Sequence, residues 1–153
     1  MTNRELLGRV LVLATNAHAG QFDKGGQPYI LHPLAVMNML QTTDEQLQCI
    51  ALLHDVLEDT DVTVDDLYAI GCTNRIIDGV LMLTKGVETY EEYKACVFSS
   101  EDTMRVKMAD LQHNSDIRRL KGVTDKDLAR TAKYQRFYLE IQGRMAQLLS
   151  KDI

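Results

Sequence analysis

His54 and Asp55 stand at the end of an apolar run, Ala51-Leu52-Leu53-His54-Asp55-Val56-Leu57-Glu58-Asp59-Thr60. If one helix carries this stretch, His54 lies over Glu58 and Asp55 over Asp59. The segment is apolar almost all round, which predicts burial. Buried charges must be paired or must coordinate a metal. An imidazole beside a carboxylate is a ligand pair for a borderline divalent cation. The competing reading is a plain helix end whose acids reach solvent.

Two further places offer ligands. In Pro28-Tyr29-Ile30-Leu31-His32-Pro33, Pro33 fits the first position of a helix, where its missing N–H is no loss. That puts His32 at the helix mouth, in the extended conformation that a following proline favours. Taken alone, His32 reads better as a partly buried N-cap substitute than as a ligand. Asp110 interrupts an apolar pattern of Met104, Met108 and Leu111, together with His113 and Asn114. Polar groups in a buried stripe need partners. Two imidazoles and two carboxylates suit Mn²⁺, Fe²⁺ or Zn²⁺ with positions left open for water.

Helices must position these groups. Leu6, Leu7, Val10, Leu11, Ala14, Ala17 and His18 recur at helical spacing, predicting a first helix from Arg4 to about His18, stopped by Gly20. A loop follows, with Lys24 at its tip and Gly25 and Gly26 as turn formers. Thr43-Asp44-Glu45-Gln46 reads as a capping box for the helix carrying His54. Thr63 starts a short helix ended by Gly71, and Thr73 another with Ile76, Ile77, Val80, Leu81 and Leu83 inward. Thr89-Tyr90-Glu91-Glu92 caps a helix to about Ser99. Glu101 to Leu120 reads as one long helix, and Thr124 opens the last, to about Ser150. No stretch alternates apolar and polar residues long enough for a strand. The expectation is an all-α fold of about eight helices, with residues 1–153 as one domain.

At 153 residues the chain is long enough to bury a sizeable core. A net charge of -5 argues against a nucleic-acid surface, whose footprint is basic, so no polymer partner is expected. It leaves room for a small phosphorylated ligand, because a bound cation and a local Lys/Arg cluster can outweigh the global field. Cys49, Cys72 and Cys96 are odd in number and widely spaced, which reads as reduced thiols of a cytoplasmic protein. No run is apolar enough to span a bilayer and no signal peptide is apparent, so no membrane partner is expected.

The ordered set His32, His54-Asp55 and Asp110 resembles the metal site of the HD-domain phosphohydrolases. The likeness narrows further. Ala17-His18-Ala19-Gly20-Gln21, Gly26-Gln27-Pro28-Tyr29-Ile30-Leu31-His32-Pro33, the His54 stretch and Val106-Lys107-Met108-Ala109-Asp110-Leu111-Gln112-His113-Asn114 together resemble the hydrolase domain of RelA/SpoT-type alarmone enzymes. Long members add a synthetase domain for which 153 residues leave no room, so the chain is similar to the small stand-alone alarmone hydrolases. The resemblance implies Mn²⁺ on His32, His54, Asp55 and Asp110. It implies Glu58 and Asp59 as the acidic pair that orients and activates water. Lys24, Asn114, Arg130 and Tyr134 match positions that meet the substrate, although the last two could also be an ordinary exposed i,i+4 pair. His18 and His113 read as supporting or core histidines rather than ligands. Two positions depart from the family: Asp23 stands where a basic residue is usual, and Leu111 where Arg or Lys is usual. The implied activity is Mn²⁺-dependent removal of the 3′-pyrophosphate from (p)ppGpp-like nucleotides. The alternatives are hydrolysis of another nucleotide (an adenosine alarmone, an NADPH-like compound or a nucleoside monophosphate) and a non-catalytic nucleotide sensor.

Overall fold

The computed structural model describes residues 1–151. Among these residues the chain forms nine α-helices: α1 (Asn3–Ala17), α2 (Leu31–Met39), α3 (Glu45–Leu53), α4 (Val56–Asp59), α5 (Val64–Ala69), α6 (Asn74–Leu83), α7 (Tyr90–Val97), α8 (Glu101–Asn114) and α9 (Asp125–Lys151). A 3-10 turn, Ile117–Arg119, joins the last two. The only strand-like feature among the described residues is a single bridge between Phe22 and Pro28, which closes the loop after α1. The fold is therefore all-α, as expected. Among the described residues no helix is long and apolar enough to cross a membrane.

α3 is the centre. Leu47, Cys49, Ile50, Ala51, Leu52 and Leu53 are all buried. α1, α2, α6 and α8 pack around it, and α9 lies along α8. Burial of each large aliphatic side chain contributes about 1.5–3 kcal/mol relative to leaving it exposed. The close approach of α6 depends on Gly79, where a Cβ would run into the Ile50 side chain.

Local chemistry sets most helix starts. Thr63 with Asp66 and Thr89 with Glu92 form reciprocal capping boxes at α5 and α7. Thr73 caps α6, and Thr124 and Asp127 exchange hydrogen bonds at the start of α9. Gly71 takes φ +103° just past α5, where a side chain would be strained.

Five expectations need correction. The cap of α3 is Asp44, whose carboxylate accepts from Leu47 N, not a box begun by Thr43. Gln46 is drawn away from a box because its side chain accepts from the Thr73 hydroxyl. His32 is not extended; α2 begins at Leu31 and Pro33 is its third residue. Proline is tolerated there because first-turn N–H groups have no intrahelical partner. α3 does not run through His54. The His54 Nδ1–H donates to the Ala51 carbonyl at 2.6 Å, taking the acceptor that the Asp55 N–H would need to continue the helix. The chain turns at His54 and Asp55 and restarts as α4. α8 stops at Asn114 instead of running to Leu120. Leu81 is exposed on α6 rather than turned inward.

Candidate metal and substrate site

α2, the α3–α4 turn and α8 bring His32, His54 and Asp110 together. One ligand atom from each lies within 4.8 Å of the others, and all three side chains are buried. His32 Nε2 is 2.9 Å from Asp110 Oδ1, and His54 Nε2 is 3.3 Å from the same oxygen. Asp55 joins from the turn: its Oδ2 is 3.1 Å from His54 Nε2 and 3.7 Å from His32 Nε2. The expected four-group set is thus gathered at one point by three separate segments.

The proton bookkeeping asks for a cation there. His54 Nδ1 is committed as donor to Ala51 O, so its Nε2 presents a lone pair. That nitrogen is buried and has no hydrogen-bond partner among the described residues. It faces two carboxylates, an arrangement that is repulsive unless positive charge lies between them. Burial works against a charged imidazole, yet Asp55 and Asp110 raise His54 well above the ordinary histidine value. A divalent ion meets the same need while using both imidazole lone pairs, so these residues fit a metal.

The surroundings hold these side chains in place. His32 Nδ1 lies 2.7 Å from His113 Nδ1, and the two rings stack. With His32 Nε2 as a ligand, Nδ1–H donates and His113 accepts. Burial, then Arg119 and His32, push the His113 imidazole down to about 4, which keeps it neutral for that role. His113 thus lies against His32 and outside the His32, His54 and Asp110 cluster. Lys107 Nζ bonds Asp110 Oδ2 at 2.8 Å, and Oδ1 faces the two imidazoles. Burial tends to raise the Asp110 carboxyl, but Lys107 and the two imidazoles hold it well below the usual carboxylate range. Tyr29 donates its hydroxyl to Asp55 Oδ2 at 2.6 Å. Neither Lys107 nor Tyr29 has a role assigned by sequence reasoning. Lys107 sits three residues before Asp110, a helical spacing that signals the pair; Tyr29 carries no such signal, because Asp55 is 26 residues away.

Glu58 and Asp59 line the same cavity, of about 170 Å³, with His54, Asp55 and Asp110. The Lys85 backbone N–H donates to Glu58 Oε1 at 2.8 Å, which fixes one oxygen and leaves Oε2 unpartnered among the described residues. Asp59 is held through its backbone: His18 Nδ1 meets Gln21 Oε1, and the Gln21 amide donates to the Asp59 carbonyl at 2.8 Å. Burial, reinforced by Asp55 and Glu58, raises the Asp59 carboxyl.

A second cavity, of about 270 Å³, adjoins the first and shares Tyr29, Asn114 and Tyr134 with it. Lys24, Arg130 and Tyr134 line it, so the structure gathers these three expected residues too. Asn114 divides the two spaces. Its Nδ2 donates to Asp110 Oδ1 at 3.0 Å and its Oδ1 accepts from Arg119. Arg119, to which the sequence assigns no face, is a wall of this cavity. Arg130 is bonded to Asp127 one turn earlier on α9. Of the two departures, Leu111 turns into the core, and Asp23 lies 3.5 Å from Arg119 Nη2. The first cavity carries four carboxylates and two lysines; its neighbour carries three cations and two carboxylates. The first suits a cation and the second an anion.

Comparison with known proteins bears on the family and the fold of the chain. The HD-domain family model matches residues 10–121. A guanosine-3′,5′-bis(diphosphate) 3′-pyrophosphohydrolase of Vibrio cholerae is 34% identical over 95% of this chain and 22% of its own length. One of Haemophilus influenzae is 35% identical over 67% of this chain and 17% of its own length. A GTP pyrophosphokinase rsh of Brucella abortus is 34% identical over 94% of this chain and 21% of its own length. The chain spans about a fifth of the length of the curated relatives it matches. A solved structure of a metazoan ortholog of SpoT, reported to hydrolyse ppGpp, shares the fold. Its TM-score is 0.74 at 22% identity, over 96% of this chain and 95% of that one.

Proposed function

We propose a function from one premise: this chain belongs to the HD-domain family. It works as a single metal-dependent phosphohydrolase domain that removes the 3′-pyrophosphate from a (p)ppGpp-like nucleotide. One observation carries the reading: an acidic His/Asp cavity opens beside a cation-lined cavity across Tyr29, Asn114 and Tyr134. Relatives named for this hydrolysis over most of the chain's length support it.

Mn²⁺ on His32, His54, Asp55 and Asp110 would supply Lewis acidity and a bound water of lowered pKa. The chain's own residues do the rest. Lys107 keeps Asp110 ionised, and His113 and Tyr29 hold His32 and Asp55 in orientation. Glu58 takes the proton of the attacking water on Oε2, its other oxygen being pinned by the Lys85 N–H. Asp59 orients that water. Lys24, Arg130 and Tyr134 bind the nucleotide and its phosphates, and Asn114 sets the distance between the two cavities.

The test is a substrate panel with Mn²⁺: guanosine 3′,5′-bis(diphosphate), adenosine 3′-pyrophosphates, NADPH and nucleoside monophosphates, with phosphate and pyrophosphate resolved. Pyrophosphate released fastest from the guanosine compound is expected. Phosphate from NADPH or a monophosphate would transfer the reading to another nucleotide. No release from any of them, with binding retained, would make the chain a sensor.

Arg130→Ala should lose a charge-assisted phosphate contact of roughly 1.5–3 kcal/mol, a tenfold to hundredfold fall in kcat/KM. The lower end is expected, because the side chain is 33% exposed and its guanidinium is shared with Asp127. Tyr134→Phe should cost less than Tyr134→Ala, because the ring face survives. An unchanged kcat/KM in Arg130→Ala would return this pair to an ordinary helix surface.

A further inference from the structure

Asp23 is an acid in the wall of a cavity suited to anions, and its contacts explain its presence. One oxygen closes the loop after α1: Oδ1 accepts from Gln27 N at 2.9 Å. The other faces Arg119, with Oδ2 3.5 Å from Nη2. The loop lies so close to the 3-10 turn that a Cβ on Gly25 would overlap the Arg119 carbonyl. Arg119 Nη1 donates to His113 O at 3.1 Å and to Asn114 Oδ1 at 3.2 Å. The guanidinium is thus fixed on three sides, and the side chain is only 22% exposed. A guanidinium has five N–H donors. These contacts leave Nε–H and one Nη2–H without an acceptor among the described residues.

We propose that Arg119, held in the cavity wall by Asp23, anchors a second phosphate group of the substrate and so makes the site select nucleotides phosphorylated at two positions. The inference rests on the reading that the neighbouring cavity hydrolyses a nucleotide. A phosphate bridges two N–H groups of one guanidinium, which a lysine's point charge cannot copy. Holding the side chain in place before binding removes much of the ordering cost. The location selects the second phosphate rather than the scissile one. Between Arg119 and the metal ligand Asp110 stand two hydrogen bonds and the Asn114 amide. That path leaves room for a sugar between a phosphate at the metal and a phosphate at Arg119. Both ends of the amide are engaged, which fixes its orientation and ties the spacing to the metal site. Asp23 is then a positioning residue: it aims the cation that a basic residue at its own position would otherwise supply.

The experiment measures equilibrium binding of guanosine 3′,5′-bisphosphate and guanosine 3′-monophosphate to the full chain by calorimetry. Wild type should prefer the bisphosphate by roughly tenfold or more, the scale of one charge-assisted contact. Arg119→Gln should bring the ratio close to one, and Asp23→Asn should reduce it in part. A clasp that only stabilised the fold would lower the melting temperature and weaken both probes alike, leaving the ratio intact. A wild-type ratio near one, or a ratio preserved in Arg119→Gln, overturns the proposal. Should Arg119→Gln fail to fold, Arg119→Lys keeps the charge and loses the fork, and a fully preserved ratio there overturns it as well. The hydrolase reading fails separately. If wild type releases no pyrophosphate from any nucleotide yet shows the ratio, and loses it in Arg119→Gln, the anchor stands and the activity does not.

Discussion

Glu58→Gln is expected to keep metal content at about one ion per chain while turnover falls by roughly 10²-fold or more, the usual scale for losing a general base. The substitution is nearly isosteric, and its amide oxygen can still accept from the Lys85 N–H that now holds Glu58 Oε1 at 2.8 Å. Position is preserved and proton affinity is lost. Single-turnover kinetics beside elemental analysis separate the two. Wild-type turnover in this variant would move the base to Asp59, whose carboxyl is raised by burial and by Asp55 and Glu58, and which lines the same cavity. Loss of metal along with turnover would mean that Glu58 supports the ion site rather than the water.

The parts of this site that the sequence made legible are those whose residue types are themselves uncommon in an apolar setting. His32, His54 and Asp110 interrupt hydrophobic patterns, and burial forces such groups to find one another. The helix start at Thr63 and the capping box at Thr89 were legible because cap donor and acceptor lie within one turn of chain. The break at His54 was not, because it depends on a side chain outcompeting a backbone N–H for the Ala51 carbonyl, a contest that periodicity does not register. Tyr29 with Asp55, Lys85 N–H with Glu58 and Asp23 with Arg119 join distant points of the chain. Their composition carries no trace of the pairing. Asp23 shows the consequence. Taken residue by residue it is an acid in place of a cation, and in three dimensions it holds a cation in place.

His54→Ala should abolish stable metal binding, and its effect on stability should separate a ligand from a core residue. The wild-type protein is expected to gain stability as RT ln(1 + [M]/Kd), about 2.7 kcal/mol when free Mn²⁺ is a hundred times Kd. At about 2–4 °C per kcal/mol for a chain of this size, the melting temperature should rise by roughly 5–11 °C across that titration. The variant removes one nitrogen ligand and leaves Asp55 and Asp110 facing each other across a void, with only His32 between them. Part of the damage is independent of metal. His54 is buried, and its Nδ1–H satisfies the Ala51 carbonyl, so the apo variant should itself melt below wild type. The discriminating quantity is therefore the slope against Mn²⁺, not the melting temperature alone. A flat slope with metal content near zero is the expected result. An apo loss with the Mn²⁺ slope and full occupancy intact would make His54 a structural histidine. The ion would then rest on His32, Asp55 and Asp110 alone.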